Sequence, residues 1–178
     1  FKNLMILNVE NNNLTSLDLS AFSNLKQLNC VNNQLTSLDL SSCTGLTNLR
    51  CAKNQLKEIS LNHLKNLVEL DIIENQLTSL NVSSLSNLRS LYCFKNHLQM
   101  LDLRGCTVLS AMQLGEQKDK NGNGIKLIVK LAESSMDAWN NKWASNGANK
   151  DVELYTGSSV EEGNGNTGGS DFTIEGIY

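Results

Sequence analysis

Proline is absent from this chain, and aromatic residues fill only 5% of its 178 positions. A composition so poor in both is unlike that of an ordinary mixed globular enzyme. Positive charge is not in excess: the formal net charge is −3, which argues against the basic stripe of a nucleic-acid binder and the polybasic segment of a membrane-surface protein. No apolar run approaches the roughly 18 residues that a membrane span needs, and no signal-peptide pattern is visible. Histidine occurs only as His63 and His97, and no CxxC pair, phosphate loop, zinc motif or Ser/His/Asp set can be assembled. The expectation is therefore a chain with no catalytic residue, no metal site and no cofactor.

What is abundant is leucine, with 30 residues, and asparagine, with 25. Their placement is periodic. Leu4, Leu25, Leu46, Leu67, Leu88 and Leu109 recur at steps of 21, and three residues beyond each stands Leu7, Leu28, Leu49, Leu70, Leu91 or Met112. With Leu4 as position 1, the first five units are apolar at positions 1, 4, 6, 11, 14, 16 and 19. Position 9 holds Asn12, Asn33, Asn54, Asn75 and Asn96. A fixed period near 20 residues marks a solenoid whose coils each stack only on their neighbours. Alternation around positions 3–5 predicts a short strand in each coil, parallel to the next and about 4.8 Å from it. The buried amide at position 9 carries both donor and acceptor, so stacked asparagines form a structural ladder that satisfies backbone groups left unpaired by a tight turn.

The segments LKQLNCVNNQL (25–35) and LTNLRCAKNQL (46–56) resemble the leucine-rich-repeat motif, and the resemblance covers about residues 1–114. It implies a right-handed superhelix with a parallel β-sheet on its concave face and mainly β and irregular content. Repeats with cysteine at position 6, the NQLTSLDLS turn (33–41), a later Trp139/Trp143 segment and a terminal DFTIEGIY look like cell-surface leucine-rich-repeat proteins of Bacteroidetes-type bacteria. That likeness implies export to a bacterial surface or secretion, with membrane attachment only through an upstream lipid anchor, and a binding or adhesion role.

All five cysteines fall in apolar slots. Cys30, Cys51 and Cys93 share position 6 with Val9 and Ile72, while Cys43 and Cys106 share position 19 with Phe22, Leu64 and Leu85. Small buried hydrophobes are the favoured reading over metal ligation or a disulfide; only Cys30 and Cys51 lie in adjacent coils of one column. His63 and His97 occupy polar slots and are expected in exposed loops.

Phe1-Lys2-Asn3 matches the end of a repeat, so the chain is expected to begin part-way through a coil, with capping elements or further coils upstream. The solenoid is placed at residues 1–116. Gln117 stands where asparagine is expected, followed by KDKNGNG (118–124), and the repeat is expected to stop there. The Asp119 run imitates the start of a calcium loop but has Lys130 where the final acid should be, so a turn between strands is the better reading. Residues 117–156 are read as a small C-terminal strand-helix-strand cap, with the alternating Ile125, Leu127, Val129 and Leu131, a helix near 135–145 and a second strand over 151–156. Residues 157–178 read as a Gly-rich linker and a strand-like tail.

On the concave face, positions 3, 5, 7 and 8 are expected to point outward. Tyr92, Phe94 and Ile73 form an aromatic-apolar cluster there, next to Arg50 and Asp71, with Glu69 on the same face. Apolar anchors rimmed by charge suit a protein, peptide or glycan ligand; cross-strand packing that merely stabilises the sheet is the competing reading. Arg50 is expected to neutralise Asp71. Lys53, Glu74, Lys95 and Glu116 alternate in sign at position 8 and read as a surface charge ladder. Three functions follow: a non-catalytic binding module, a spacer solenoid without a ligand, and a glycoside hydrolase built on Glu69 and Asp71, which is the least favoured.

Overall fold

The computed structural model describes residues 3–131 and the backbone of 152–155. Strands β1 (Ile6–Asn8), β2 (Gln27–Asn29), β3 (Asn48–Arg50), β4 (Glu69–Asp71) and β5 (Ser90–Tyr92) occupy positions 3–5 of successive coils. With β7 (Ala111–Gln113) they form a six-stranded parallel sheet in the order β1-β2-β3-β4-β5-β7. The register steps by one repeat at each pairing, so Leu7, Leu28, Leu49, Leu70, Leu91 and Met112 stand in one row. From Leu28 onward that row is buried. The period-2 alternation of a strand turns position 4 inward and positions 3 and 5 outward.

The rest of each coil is turn and extended chain, and no helix occurs among the described residues. On the return side two i to i+3 bonds follow one another in each coil. In the third coil these run from Leu64 N to Leu61 O and from Leu67 N to Leu64 O. That spacing of three explains why apolar residues fall at positions 16, 19 and 1, and Leu61, Leu64 and Leu67 are all buried. Complete burial of such a leucine stabilises by about 1.5–3 kcal/mol, so a coil gains its stability only when stacked on another.

The sixth coil closes despite its interruption. Strand β6 (Met100–Asp102) pairs in parallel with β10 (Leu127–Lys130), which pairs in turn with β11 (Val152–Tyr155). Leu101 lies opposite Val129. The extra residues fold outward as an antiparallel hairpin of β8 (Gln117–Lys118) and β9 (Gly124–Ile125). Leu127, Val129 and Leu131 point inward as their alternation predicts. The helix expected near 135–145 and the tail from 157 lie outside the described residues.

At Gly105 the coils pack tightly enough to exclude a methyl group. A Cβ at Gly105 would overlap the carbonyl oxygen of Ser83 in the preceding coil and come within 2.9 Å of its carbonyl carbon. Gly105→Ala is expected to destabilise the chain by about 1–3 kcal/mol, since backbone must move. Ser42→Ala, at the same position of another coil, should change stability by less than about 0.5 kcal/mol. Urea unfolding of the two variants checks the contrast.

Candidate binding face and asparagine ladder

Behind the sheet runs the amide ladder. Asn75 Nδ2 donates to Cys51 O of the preceding coil at 3.0 Å and to Ile72 O and Ile73 O of its own coil at 3.2 and 3.3 Å. Its Oδ1 accepts from Leu56 N at 3.0 Å. Asn33, Asn54 and Asn96 repeat all four bonds in their own coils. These four side chains are buried, whereas Asn12, which donates to Val9 O and Glu10 O, is exposed.

Gln117 corrects the expectation that the repeat ends there. Its Nε2 donates to Cys93 O, Leu114 O and Gly115 O, its Oε1 accepts from Leu98 N, and it is 1% exposed. The glutamine amide makes the contacts that an asparagine makes elsewhere.

Position 8 belongs to the turn after the strand and not to the sheet face. Asn11, Asn32, Lys53, Glu74, Lys95 and Glu116 all have φ between 53° and 58°. This left-handed backbone, unfavourable for most side chains, lets the position-8 N–H bond the position-7 carbonyl of the next coil, as from Lys53 N to Ile73 O and Glu74 N to Phe94 O. Of the alternating charges, Lys95 and Glu74 meet at 3.2 Å.

On the outer face of the sheet, position 5 has a structural duty. Asn8, Asn29 and Asp71 each accept a hydrogen bond from the N–H two residues on, at Glu10, Val31 and Ile73. Arg50 takes Glu69 and not Asp71 as its hydrogen-bonded partner: its Nε meets Glu69 Oε1 at 2.7 Å, while Asn48 Nδ2 donates to Glu69 Oε2 at 3.1 Å. The Glu69 bond holds the Arg50 guanidinium above its ordinary pKa, and burial, more than any neighbouring charge, raises Asp71. Both Glu69 oxygens are thus engaged by neighbours.

Tyr92, Phe94 and Ile73 are half-buried. The strand register sets Tyr92 beside Asp71, and the Glu74 N to Phe94 O bond holds the Ile73 turn beside Phe94. Lys95 Nζ lies 5.4 Å from the centre of the Phe94 ring, in reach of a cation–π attraction. The structure thus ties Arg50 to Glu69 and gathers Asp71, Ile73, Tyr92 and Phe94 on adjoining coils.

The remaining chemistry-bearing residues are structural. All five cysteines are buried free thiols. His63 and His97 are not exposed as expected: both are half-buried, with His63 Nε2 3.0 Å from Leu40 O and His97 Nδ1 2.8 Å from Lys118 O. A carbonyl only accepts, so in each case that ring nitrogen carries the proton. Sequence reasoning placed both histidines by the polarity of their slots and missed these bonds between coils.

A stack of 21-residue coils with a parallel sheet on one side and an amide ladder behind it is a leucine-rich-repeat solenoid. The leucine-rich-repeat family matches at residues 3–25, and the solved structures that resemble the chain carry the same fold. The functional domain of InlJ from Listeria monocytogenes, which includes a cysteine ladder, is 33% identical with a TM-score of 0.64, over 74% of this chain and 31% of that one. A leucine-rich-repeat protein of Leptospira interrogans is 26% identical with a TM-score of 0.63, over 86% of this chain and 43% of that one. An internalin C2 of Listeria monocytogenes, 20% identical over 84% of this chain and 69% of that one with a TM-score of 0.57, shares the fold. A search of curated proteins finds no match. The chain is a leucine-rich-repeat protein, and it spans less than half the length of the first two of these structures. Leucine-rich-repeat proteins such as the internalins are typically non-catalytic, protein-binding modules.

Proposed function

We propose that this chain is a non-catalytic module of a bacterial surface or secreted protein, and that it binds a protein partner through the outer face of its six-stranded sheet. The observation that carries this reading is the half-exposed Tyr92, Phe94 and Ile73 cluster, which holds the aromatic residues of the sheet's outer face and is rimmed by the Arg50–Glu69 pair and Asp71. Large rigid side chains of this kind, set among charges, supply most of the binding energy at protein interfaces. Engagement of Glu69 by Arg50 and Asn48, and of Asp71 by its own turn, counts against a hydrolytic carboxylate pair. The internalin likeness supports a location outside the cell.

The test compares the native chain with Tyr92→Ala and Phe94→Ala as baits for proteins exposed on surfaces or in secretions. A partner bound by the native chain should lose about tenfold or more in affinity with either variant, while the melting temperature stays unchanged. Partners retained equally by all three move these residues to sheet packing; no partner at all favours the spacer. Protease shaving of intact source cells checks the location.

A further inference from the structure

The hairpin that interrupts the sixth coil walls a groove of about 810 Å3 on the flank of the solenoid, away from the sheet face. Lys57 of the third coil and Lys118 and Lys120 of the hairpin line it. Three further polar side chains, Gln76, Thr78 and Gln99, line it as well, and Ile125 is its single branched aliphatic residue. The wall is fixed: Asp119 Oδ1 accepts from Asn121 N and Asn123 N, both at 2.8 Å, and Oδ2 accepts from Asn123 Nδ2 at 3.0 Å. Those bonds close the turn as the sequence suggests and take up the oxygens that a calcium loop would give to its ion. His97 Nδ1, bonded to Lys118 O, fastens the hairpin to the fifth coil.

Asp119 is the only carboxylate in the lining, against three ammonium groups. The ion pairs among the described residues are Arg50–Glu69, Lys95–Glu74 and Arg104–Asp102, and they leave these three lysines out. A positive groove in a chain of net charge −3 is a local feature, and stacking of the coils does not require it. We infer that it binds an acidic oligosaccharide, one whose carboxylates pair with the lysines and whose hydroxyls meet the two glutamine amides and the threonine. A sugar ring can lay its apolar face on Ile125. An acidic peptide fits less well, because peptide grooves rely on apolar or aromatic anchoring pockets and this lining offers one aliphatic side chain.

Calorimetric titration of the whole chain with tetragalacturonate tests the inference, with maltotetraose as the neutral sugar and hexaglutamate as the acidic peptide. Tetragalacturonate should bind at least about tenfold more tightly than either. Lys57→Ala/Lys118→Ala/Lys120→Ala should weaken it about tenfold, whereas Lys26→Ala/Lys53→Ala/Lys65→Ala, which removes the same charge elsewhere, should stay within about twofold. The substituted groove lysines are exposed, so the variants keep the fold. Tyr92→Ala should leave the titration unchanged, which separates this groove from the sheet face. The inference is overturned by no binding, by equal loss in both triple variants, or by hexaglutamate binding as tightly.

Discussion

Asn75→Ala is expected to lower the unfolding free energy by about 2–3 kcal/mol, and the same change at Asn12 by less than about 1 kcal/mol. Asn75 satisfies three carbonyls and one N–H in the interior. Truncation orphans Leu56 N, at a cost of about 1–3 kcal/mol reduced where water enters, and takes one of two donors from each carbonyl, since Cys51 O keeps Asn54 Nδ2, Ile72 O keeps Asn96 Nδ2 and Ile73 O keeps Lys53 N. At Asn12 the two carbonyls it serves are near solvent, which replaces the amide. Asn75→Asp sharpens the argument. It keeps the size and the acceptor for Leu56 N but turns an oxygen toward Cys51 O, Ile72 O and Ile73 O, so at neutral pH it should be worse than alanine. Because Asn75 joins its coil to the one before, the loss falls on an interface as well as on a turn, and urea unfolding should broaden as the stack divides. Equal costs at Asn75 and Asn12 would show that the amide contributes little beyond filling its slot.

Much of this fold was legible because a solenoid repeats one local problem. The step of 21 set the strand register, the apolar positions set the core, and the recurring asparagine announced the ladder. Gln117 was misread because the residue type was taken as the requirement. The physical requirement is an amide at that place, and one more methylene still brings Nε2 to Cys93 O at 3.0 Å. Left-handed backbone at position 8 had a visible signal in Asn11 and Asn32, both tolerant of that conformation, but the alternating lysines and glutamates beyond them suggested a charge ladder instead. Arg50 faced two acids at similar sequence distance. Residue types alone do not say which of the two it meets: Arg50 Nε bonds Glu69 Oε1, while Asp71 Oδ1 accepts from Ile73 N. The groove was illegible for another reason: Lys57 meets Lys118 and Lys120 only because two coils lie between them and a hairpin folds back over the flank.

The native thiols are expected to be nearly inert to a disulfide-exchange reagent at neutral pH, and all five to react once the chain is unfolded. Cys30, Cys51 and Cys93 have no exposed surface, and Cys43 likewise. Burial pushes the Cys30 and Cys93 thiols up to about 12 and Cys51 well above its ordinary value, with Cys30 and Asp71 adding to the last. Only the thiolate attacks, so a rise from about 8.5 to about 12 cuts the reactive fraction by roughly three thousandfold even before access is considered. Cys106, 4% exposed and raised to about 11, should react first. Its Sγ lies 3.3 Å from Val82 O, where a thiol proton is held and a thiolate would be repelled. The same shifts fix the sign of the alkaline response. Folding holds the thiol protons more tightly than the unfolded chain does, so this stabilisation is complete below about pH 8.5 and is lost as pH rises through the native values. As pH rises across that range, labelling rates should therefore rise while the unfolding free energy falls. Rapid native labelling of Cys30 or Cys51 at neutral pH would mean that the coils open far more readily than their packing implies.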